Sequence, residues 1–141
     1  LIFYTNYGSV KGNELSTSGK AAIVIHWKSL RRQIRVRGLV KKEDGEKADF
    51  YFSSRSKESR FGAWTSKQSK SLESRELLLK EFRKNKSEKD LENTRPKFWG
   101  GFRITPLEIE FWSDGDFRLH DRFKWTRVGI KDEWTVSRLY P

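Results

Sequence analysis

The last third of the chain has the pattern of consecutive antiparallel β-strands, and this pattern restricts the fold more than any other feature of the sequence. Strands are predicted at 102–112, 117–127 and 133–140. The polar stretches between them, 113–116 and 128–132, are turn-like. Strands joined by such short connections pair in antiparallel order, so the sequence predicts a sheet built largely from neighbours in the chain.

Further strands are predicted in the first third of the chain. Residues 1–6 and 21–27 are apolar runs of strand length. Residues 33–42 alternate between apolar and basic side chains, which is typical of an antiparallel strand with one buried face. Antiparallel strands with a few short helices between them favour a closed or partly closed β-barrel.

Helices are predicted at fewer places. Residues 11–17 form a short helix at most, and 46–55 are more helical than extended, although their aromatic residues would also suit a strand. The clearest helix is 74–86, where Ser74 is a suitable N-cap. Residues 93–101 are predicted as a loop. We therefore expect one domain over 1–141, mainly β with short helices, of the α+β class.

The charge of the chain predicts an anionic partner. Thirty Lys and Arg residues stand against 19 Asp and Glu residues, a formal net charge of +11. Lysine-rich helix surfaces account for part of it, and the remainder suits the phosphates of a nucleic acid or of small phosphorylated molecules. The absence of Cys excludes disulfides and thiol chemistry, and two His leave little for a metal site, so none is predicted.

One stretch concentrates this charge. The segment 118–125 reads RLHDRFKW, and it lies in a predicted strand. Alternation along a strand would place Arg118, His120 and Arg122 on one face, where three basic groups repel one another unless an anion lies against them. A lone histidine is more often structural than catalytic, but the flanking arginines favour a binding site.

Several stretches together resemble the pyridoxamine 5′-phosphate oxidase family, in the family's order and spacing. They are FYTNYGSVKGNEL (3–15), RQIRVRG (32–38), YFSSR (51–55), GAWTSKQS (62–69), FWGGFRITP (98–106), IEFW (109–112), RLHDRFKW (118–125) and the terminal RLYP. The resemblance covers the whole chain and corresponds to roughly the C-terminal two-thirds of a family member. Single motifs such as GGFR occur by chance, but so many in register do not.

The resemblance implies an FMN-binding split β-barrel of the antiparallel Greek-key type, with the N-terminal strands missing from this chain. It implies a cytoplasmic homodimer with FMN at the subunit interface, to which the strands of 102–141 contribute. The implied reaction oxidises pyridoxamine or pyridoxine 5′-phosphate to pyridoxal 5′-phosphate. The flavin takes a hydride, and dioxygen then reoxidises it and yields hydrogen peroxide. No nucleic acid or membrane partner is implied.

The resemblance also assigns roles to residues. The positions that would hold FMN are Tyr4, Thr5, Lys11, Gln33, Gln68, Ser69, Trp112 and Arg122. The substrate phosphate would lie against Tyr51, Arg55 and Ser59, since a guanidinium and hydroxyls match phosphate oxygens. Arg118 and His120 would face the substrate ring as the catalytic residues. No metal is implied.

Some positions have a second interpretation. Tyr4 and Trp112 also suit an ordinary strand core, and Gln33 and Gln68 suit a solvated surface. Val10 stands where family members usually have Arg. Losing one charge-assisted hydrogen bond costs about 1.5–3 kcal/mol, so FMN affinity would be roughly ten- to hundredfold lower unless another basic residue compensates.

Two other functions remain open from the sequence. One is a flavin-binding relative without oxidase activity, suggested by Val10 and the missing N-terminal strands. The other is a basic barrel that binds nucleic acid, because aromatic and basic residues interleave in 122–127, as in proteins that bind single strands. Bound flavin would favour the first over the second.

Overall fold

The computed structural model describes residues 1–88 and 90–141, which group into two compact units. Unit 1 comprises Leu1, Gly19–Val40 and Ile104–Pro141, and unit 2 comprises Ile2–Ser18 and Lys41–Arg103. The strands are β1 Ile2–Asn6, β2 Lys20–Trp27, β3 Arg32–Glu43, β4 Trp99–Ser113, β5 Asp121–Thr126 and β6 Thr135–Arg138. The helices are α1 Val10–Ser18, α2 Glu46–Ser53, α3 Lys57–Thr65, α4 Arg75–Ser87 and α5 Asp90–Asn93.

Unit 1 is built on a sheet with the strand order β2-β3-β4-β5-β6. The alternation predicted for β3 is confirmed: Val36 is 3% exposed, whereas Arg35 and Arg37 face solvent. Gly38 lies where β3 and β4 approach closely, because a Cβ there would collide with the backbone oxygen of Thr105. The apolar face of this sheet forms the core of unit 1.

Unit 2 joins a short ladder to helices. β1 pairs antiparallel with the beginning of β4, so that Thr5 lies opposite Gly100. Phe52 of α2 and Phe61 of α3 are each 1% exposed, and Trp99 is 7% exposed. The prediction of a mainly β fold with short helices is therefore confirmed. Among the described residues, no helix is long and apolar enough to cross a membrane.

The local predictions for helices and loops are confirmed in part. Ser74 caps α4 as predicted, by accepting a hydrogen bond from the backbone N–H of Leu77. The predicted loop 93–101 is wrong at its end, because β1 pairs with residues 99–101 and makes them the start of β4. Helix α3 was not predicted. Its signals are Ser56, which caps it, and the helical spacing of Phe61 and Trp64.

The strand predicted at 117–127 is wrong at its start. Asp116–Arg118 form a 3₁₀ turn, in which Phe117 and Arg118 have φ angles of 56° and 64°. Strand β5 begins only at Asp121, so Arg118 and His120 precede it, and the three basic residues do not share one strand face. Left-handed non-glycine residues are uncommon, and side-chain alternation does not reveal them.

Candidate functional site

A cavity of about 420 Å³ in unit 2 collects many of the residues predicted to bind ligands. It lies among β1, α1, α2 and α3, together with the segment that follows α3. The predicted residues that line it are Tyr4, Thr5, Lys11, Tyr51, Arg55, Ser59 and Gln68. We call it the unit 2 cavity. Seven of the residues that the sequence predicts to bind ligands therefore lie along one cavity.

Arg55 is the unusual side chain of this cavity. Its Nη1 atom is buried and has no hydrogen-bond partner. The guanidinium carbon lies 4.9 Å from the ring centroid of Trp99, and burial lowers the pKa of the Arg55 guanidinium. Helix α2 ends at Ser53, so Arg55 stands beyond it, and both Tyr51 of α2 and Arg55 line the cavity. A buried cation without a partner is costly unless an anion joins it.

Further hydrogen-bond donors surround this guanidinium. The Ser59 hydroxyl accepts a bond from Ser56 Oγ at 2.8 Å, which leaves its own proton for another acceptor. Lys11 is exposed, and its Nζ lies 5.9 Å from the ring centroid of Phe3. Within the described chain, neither Lys11 nor Arg55 forms an ion pair with a carboxylate. Two cations and a hydroxyl along this cavity therefore remain available to anionic ligands.

The aromatic wall of the unit 2 cavity is a stack of rings. Tyr4 and Tyr51 lie face to face, with centroids 3.9 Å apart and planes 9° apart, and Tyr4 lies 5.6 Å from Trp99. Tyr51 is 44% exposed, so the stack reaches the cavity surface. Tyr4 therefore packs against the core and also lines the cavity, and its contact with FMN stays a prediction.

Polar contacts fix the segment that follows α3. The Thr5 hydroxyl donates to Gln68 Oε1 at 3.1 Å, and Asn6 Nδ2 donates to the carbonyl of Ser66 at 3.1 Å. The amide NH₂ of Gln68 keeps its donors for a ligand. Ser69, whose φ is 69°, lies along a cavity of about 790 Å³ beside α4 that Gln68 also lines, so Ser69 is grouped with Gln68 but not with Thr5.

Arg95 holds α2 in place. Its side chain, 11% exposed, donates to Asp44 at 2.5 Å, to Asp49 at 2.6 Å and to the carbonyl of Trp99 at 2.5 Å. We expect Arg95→Ala to lower the free energy of unfolding by about 2 kcal/mol, since these charge-assisted bonds are lost but both carboxylates are half-exposed. Chemical denaturation measures this, and Lys97→Ala, an exposed neighbour of equal charge, should change it by less than about 0.5 kcal/mol. Equal effects would contradict the role of Arg95.

Unit 1 holds the other predicted residues. Gln33 of β3 and Trp112 of β4 line an open apolar cavity of about 470 Å³, together with Trp27, Phe111 and Phe123. Trp112 is therefore not a fully buried core residue. The structure brings Gln33 and Trp112 to the same cavity, and their contact with FMN stays a prediction.

The anion beside Arg122 is part of the chain. Glu110 is 5% exposed, and Arg122 contacts its Oε1 through Nε at 3.0 Å and Nη2 at 2.9 Å. Arg35 Nη1 lies 3.4 Å from Oε2 of the same carboxylate. Trp112 pairs with Arg122 across β4 and β5, so Glu110, two residues earlier, shares that face. Sequence reasoning missed Glu110, although a carboxylate two residues before Trp112 in an apolar strand was a usable signal.

His120 also has a partner within the chain. Its Nδ1 lies 3.0 Å from Oδ1 of Asp114, and its ring centroid lies 4.7 Å from that of Trp112. Arg118 is exposed, and its side chain makes no ion pair with any carboxylate that the structure describes. Of the three basic residues, only Arg118 therefore leaves its charge wholly for an external anion. Asp121, expected to be structural, lies 3.7 Å from Arg138 at the surface.

Two family models match most of the chain. Residues 1–87 match the family model described as pyridoxamine 5′-phosphate oxidase. Residues 99–141 match the model described as the pyridoxine 5′-phosphate oxidase C-terminal dimerisation region. The pyridoxine/pyridoxamine 5′-phosphate oxidase of Cereibacter sphaeroides is 61% identical over 140 residues, which cover 99% of this chain and 70% of that protein.

Two solved structures are similar. PhzG from Burkholderia lata, in complex with tetrahydrophenazine-1-carboxylic acid, superposes with a TM-score of 0.90 at 30% identity, over 99% of this chain and 68% of that one. A pyridoxamine 5′-phosphate oxidase-related, FMN-binding protein from Nostoc punctiforme gives a TM-score of 0.77 at 16% identity, over 100% and 72%. The second likeness shows the fold alone.

These comparisons confirm the predicted fold class, the split barrel of this group of proteins. The family models together match most of the chain, and the sequence identity to curated relatives extends over nearly all of it. The chain therefore belongs to the pyridoxine/pyridoxamine 5′-phosphate oxidase family.

Proposed function

We propose that this protein is an FMN-dependent oxidase that converts pyridoxamine 5′-phosphate or pyridoxine 5′-phosphate to pyridoxal 5′-phosphate. Dioxygen is the final acceptor and becomes hydrogen peroxide, and the amine substrate also takes up water and releases ammonia. The observation that carries the proposal is the buried, unpartnered Nη1 of Arg55 beside Tyr51 and Ser59. A phosphate supplies the acceptor oxygens that this guanidinium lacks.

The residues present fit FMN as well as the substrate. In unit 2, FMN would be held by Tyr4, Thr5, Lys11 and Gln68, among which Lys11 and the Gln68 amide are free to donate. When bound, the flavin supplies the acceptor for the two electrons of the oxidation. Membership of the pyridoxine/pyridoxamine 5′-phosphate oxidase family, which implies FMN, supports the choice of FMN.

In unit 1, Gln33, Trp112 and Arg122 would hold FMN. The guanidinium of Arg122 has five N–H donors. Three of them point at Glu110 and the carbonyl of Tyr140. The remaining donors can bind a flavin oxygen or phosphate while Glu110 fixes the plane of the group.

Two groups of side chains have proposed roles in binding the substrate. Tyr51, Arg55 and Ser59 bind the phosphate and thereby fix the position of the ring. Arg118 and His120 contact the ring, and the permanent charge of Arg118 stabilises the ring oxygen as electron density shifts during the oxidation. These contacts hold the reacting carbon in the geometry of the reaction. This orientation lowers the entropic part of the activation barrier.

We further propose a homodimer with FMN at the interface of the two copies. The match of residues 99–141 to a dimerisation region supports it. Exposed apolar side chains in the same segment, among them Phe111 at 42% and Val136 at 53%, suit burial against a second copy.

Val10 provides a test of the cofactor phosphate contact. It is 57% exposed at the first position of α1, next to Lys11. We expect Val10→Arg to tighten FMN binding roughly tenfold, since a guanidinium next to Lys11 adds a charge-assisted bond to the phosphate. Quenching of FMN fluorescence measures the affinity. Asn13→Arg adds the same charge elsewhere on α1, and an equal gain there would mean that only the general charge matters.

The activity itself is tested by stoichiometry. Purified protein is loaded with FMN, and each 5′-phosphate substrate is added in air. We expect one pyridoxal 5′-phosphate and one hydrogen peroxide for each dioxygen consumed, with ammonia released from the amine substrate only. Denaturation followed by chromatography should release FMN and not FAD.

Three results would overturn the proposal. Stoichiometric FMN without turnover of either substrate would identify a flavin-binding relative that is not an oxidase of these substrates. Turnover of a reduced phenazine carboxylic acid with neither 5′-phosphate oxidised would align the protein with the ligand seen in PhzG. A protein that binds no flavin but binds oligonucleotides with steep salt dependence would favour the nucleic-acid alternative.

A further inference from the structure

We propose that Asp114 positions His120 by accepting a hydrogen bond from Nδ1–H, so that the neutral ring presents Nε2 as a hydrogen-bond acceptor. Asp114 is thus a positioning residue, and its effect on the substrate rests on the proposed function. The predicted partner of Nε2 is an O–H or N–H donor of the substrate, such as a ring hydroxyl.

Two groups compete for Nδ1 of His120. Oδ1 of Asp114 lies 3.0 Å away and can only accept a hydrogen bond when ionised. The backbone N–H of Gly115 lies 3.2 Å away and can only donate. The first contact requires a proton on Nδ1, and the second requires a lone pair there, so the stronger partner decides whether Nε2 of the neutral ring is a hydrogen-bond acceptor or a donor.

Asp114 is a stronger hydrogen-bond partner of Nδ1 than the Gly115 N–H. Its bond to an imidazole N–H is charge-assisted, and such bonds are roughly twice as strong as neutral ones. Its second oxygen, Oδ2, is ion-paired with Arg31, and its backbone N–H donates to the carbonyl of Arg31 at 3.1 Å. The carboxylate is therefore fixed from two sides and has one oxygen left for His120. With 15% of its side chain exposed, it is also shielded from competing water.

The ring of His120 is restrained as well. It lies against Trp112, with ring planes 49° apart, and only 23% of its side chain is exposed. The preceding turn is closely packed, since a Cβ on Gly115 would collide with the carbonyl of Leu119. With Nδ1 held by Asp114, Nε2 is the ring nitrogen left for a ligand.

The test is nitrogen NMR of the protein with ¹⁵N-labelled histidine. The chain has two His, so His26→Gln identifies the signals of His120. At a pH at which the ring is neutral, we expect the proton on Nδ1 and a bare Nε2. In Asp114→Ala the Gly115 N–H becomes the only partner of Nδ1, and the proton should move to Nε2. Asp116→Ala, an exposed acidic neighbour, should leave the signals unchanged.

Kinetics provide the second measurement. We expect Asp114→Ala to lower kcat/KM at least tenfold, ~1.4 kcal/mol of lost stabilisation, with FMN affinity retained and circular dichroism unchanged. Asp116→Ala should remain within about twofold. A wild-type protein with the proton on Nε2, or an Asp114→Ala protein with unchanged signals, would overturn the proposal. The expected NMR result in a protein that oxidises neither substrate would instead refute the proposed function and leave the positioning by Asp114 standing.

Discussion

Replacing Arg55 with alanine is expected to lower kcat/KM for pyridoxamine 5′-phosphate by about 100-fold or more, ~2.7 kcal/mol. Arg55 Nη1 is buried without a partner, so a phosphate that reaches it gains a strong bond in surroundings from which water is largely excluded. Steady-state kinetics with the FMN-loaded protein measure the effect. FMN affinity should be little changed.

The substrate offers an internal control for this prediction. Pyridoxamine without its phosphate should be a poor substrate of the wild-type protein, and Arg55→Ala should hardly lower that residual rate. Arg83→Ala removes the same charge from the exposed surface of α4 and should leave the kinetics of both substrates unchanged. If Arg55→Ala impaired both substrates equally, Arg55 would not be the phosphate contact.

Replacing Arg122 with alanine is expected to destabilise the protein by about 3 kcal/mol even without flavin. Glu110 is 5% exposed, and after the change it keeps only the contact with Arg35 at 3.4 Å. A buried carboxylate that loses its main partner is left nearly uncompensated. Chemical denaturation of the flavin-free protein measures the loss. The apparent FMN affinity of Arg122→Ala therefore has to be corrected for the fraction of the protein that is unfolded.

A double-mutant cycle separates the ion pair from other effects of the change. Glu110→Ala and Arg122→Ala should each be destabilising, and the double variant should cost less than their sum by about 1–3 kcal/mol. Arg138→Ala removes an arginine from the exposed neighbouring strand β6 and should cost less than about 0.5 kcal/mol. Additive effects of the two single changes would show that the pair contributes nothing.

The parts of the fold that sequence predicted well are those fixed by local rules. The alternation along β3 follows from one buried sheet face, as Val36 and Arg35 illustrate. The start of α4 follows from the hydroxyl of Ser74 and the unpaired N–H groups of a first helical turn. Such features depend on near neighbours in the chain, so they can be read without knowing the rest of the fold.

The parts that sequence missed depend on distant partners or on unusual backbone angles. The sequence around Trp99 is typical of a loop, and Trp99 belongs to a strand only because it pairs with β1. The turn at Phe117 and Arg118 uses left-handed angles that non-glycine residues seldom adopt. The partners of Arg122 and His120 are Glu110 and Asp114, carboxylates that the sequence presents among many others.

The candidate site was predicted through the family resemblance more than through its chemistry. Motif register indicated Tyr51, Arg55 and Ser59 together, and the structure places all three along one cavity. What no pattern revealed is that Nη1 of Arg55 is both buried and unpartnered. That property depends on Trp99, which covers the guanidinium from another element of unit 2.

The central claim is that the unit 2 cavity holds the phosphate of a vitamin B6 compound. The most direct test is a crystal structure of the protein with FMN and pyridoxal 5′-phosphate bound. The account predicts phosphate oxygens within hydrogen-bond distance of Arg55 Nη1, of the Tyr51 hydroxyl and of the Ser59 hydroxyl. A phosphate bound elsewhere, with Arg55 Nη1 still unpartnered, would contradict it.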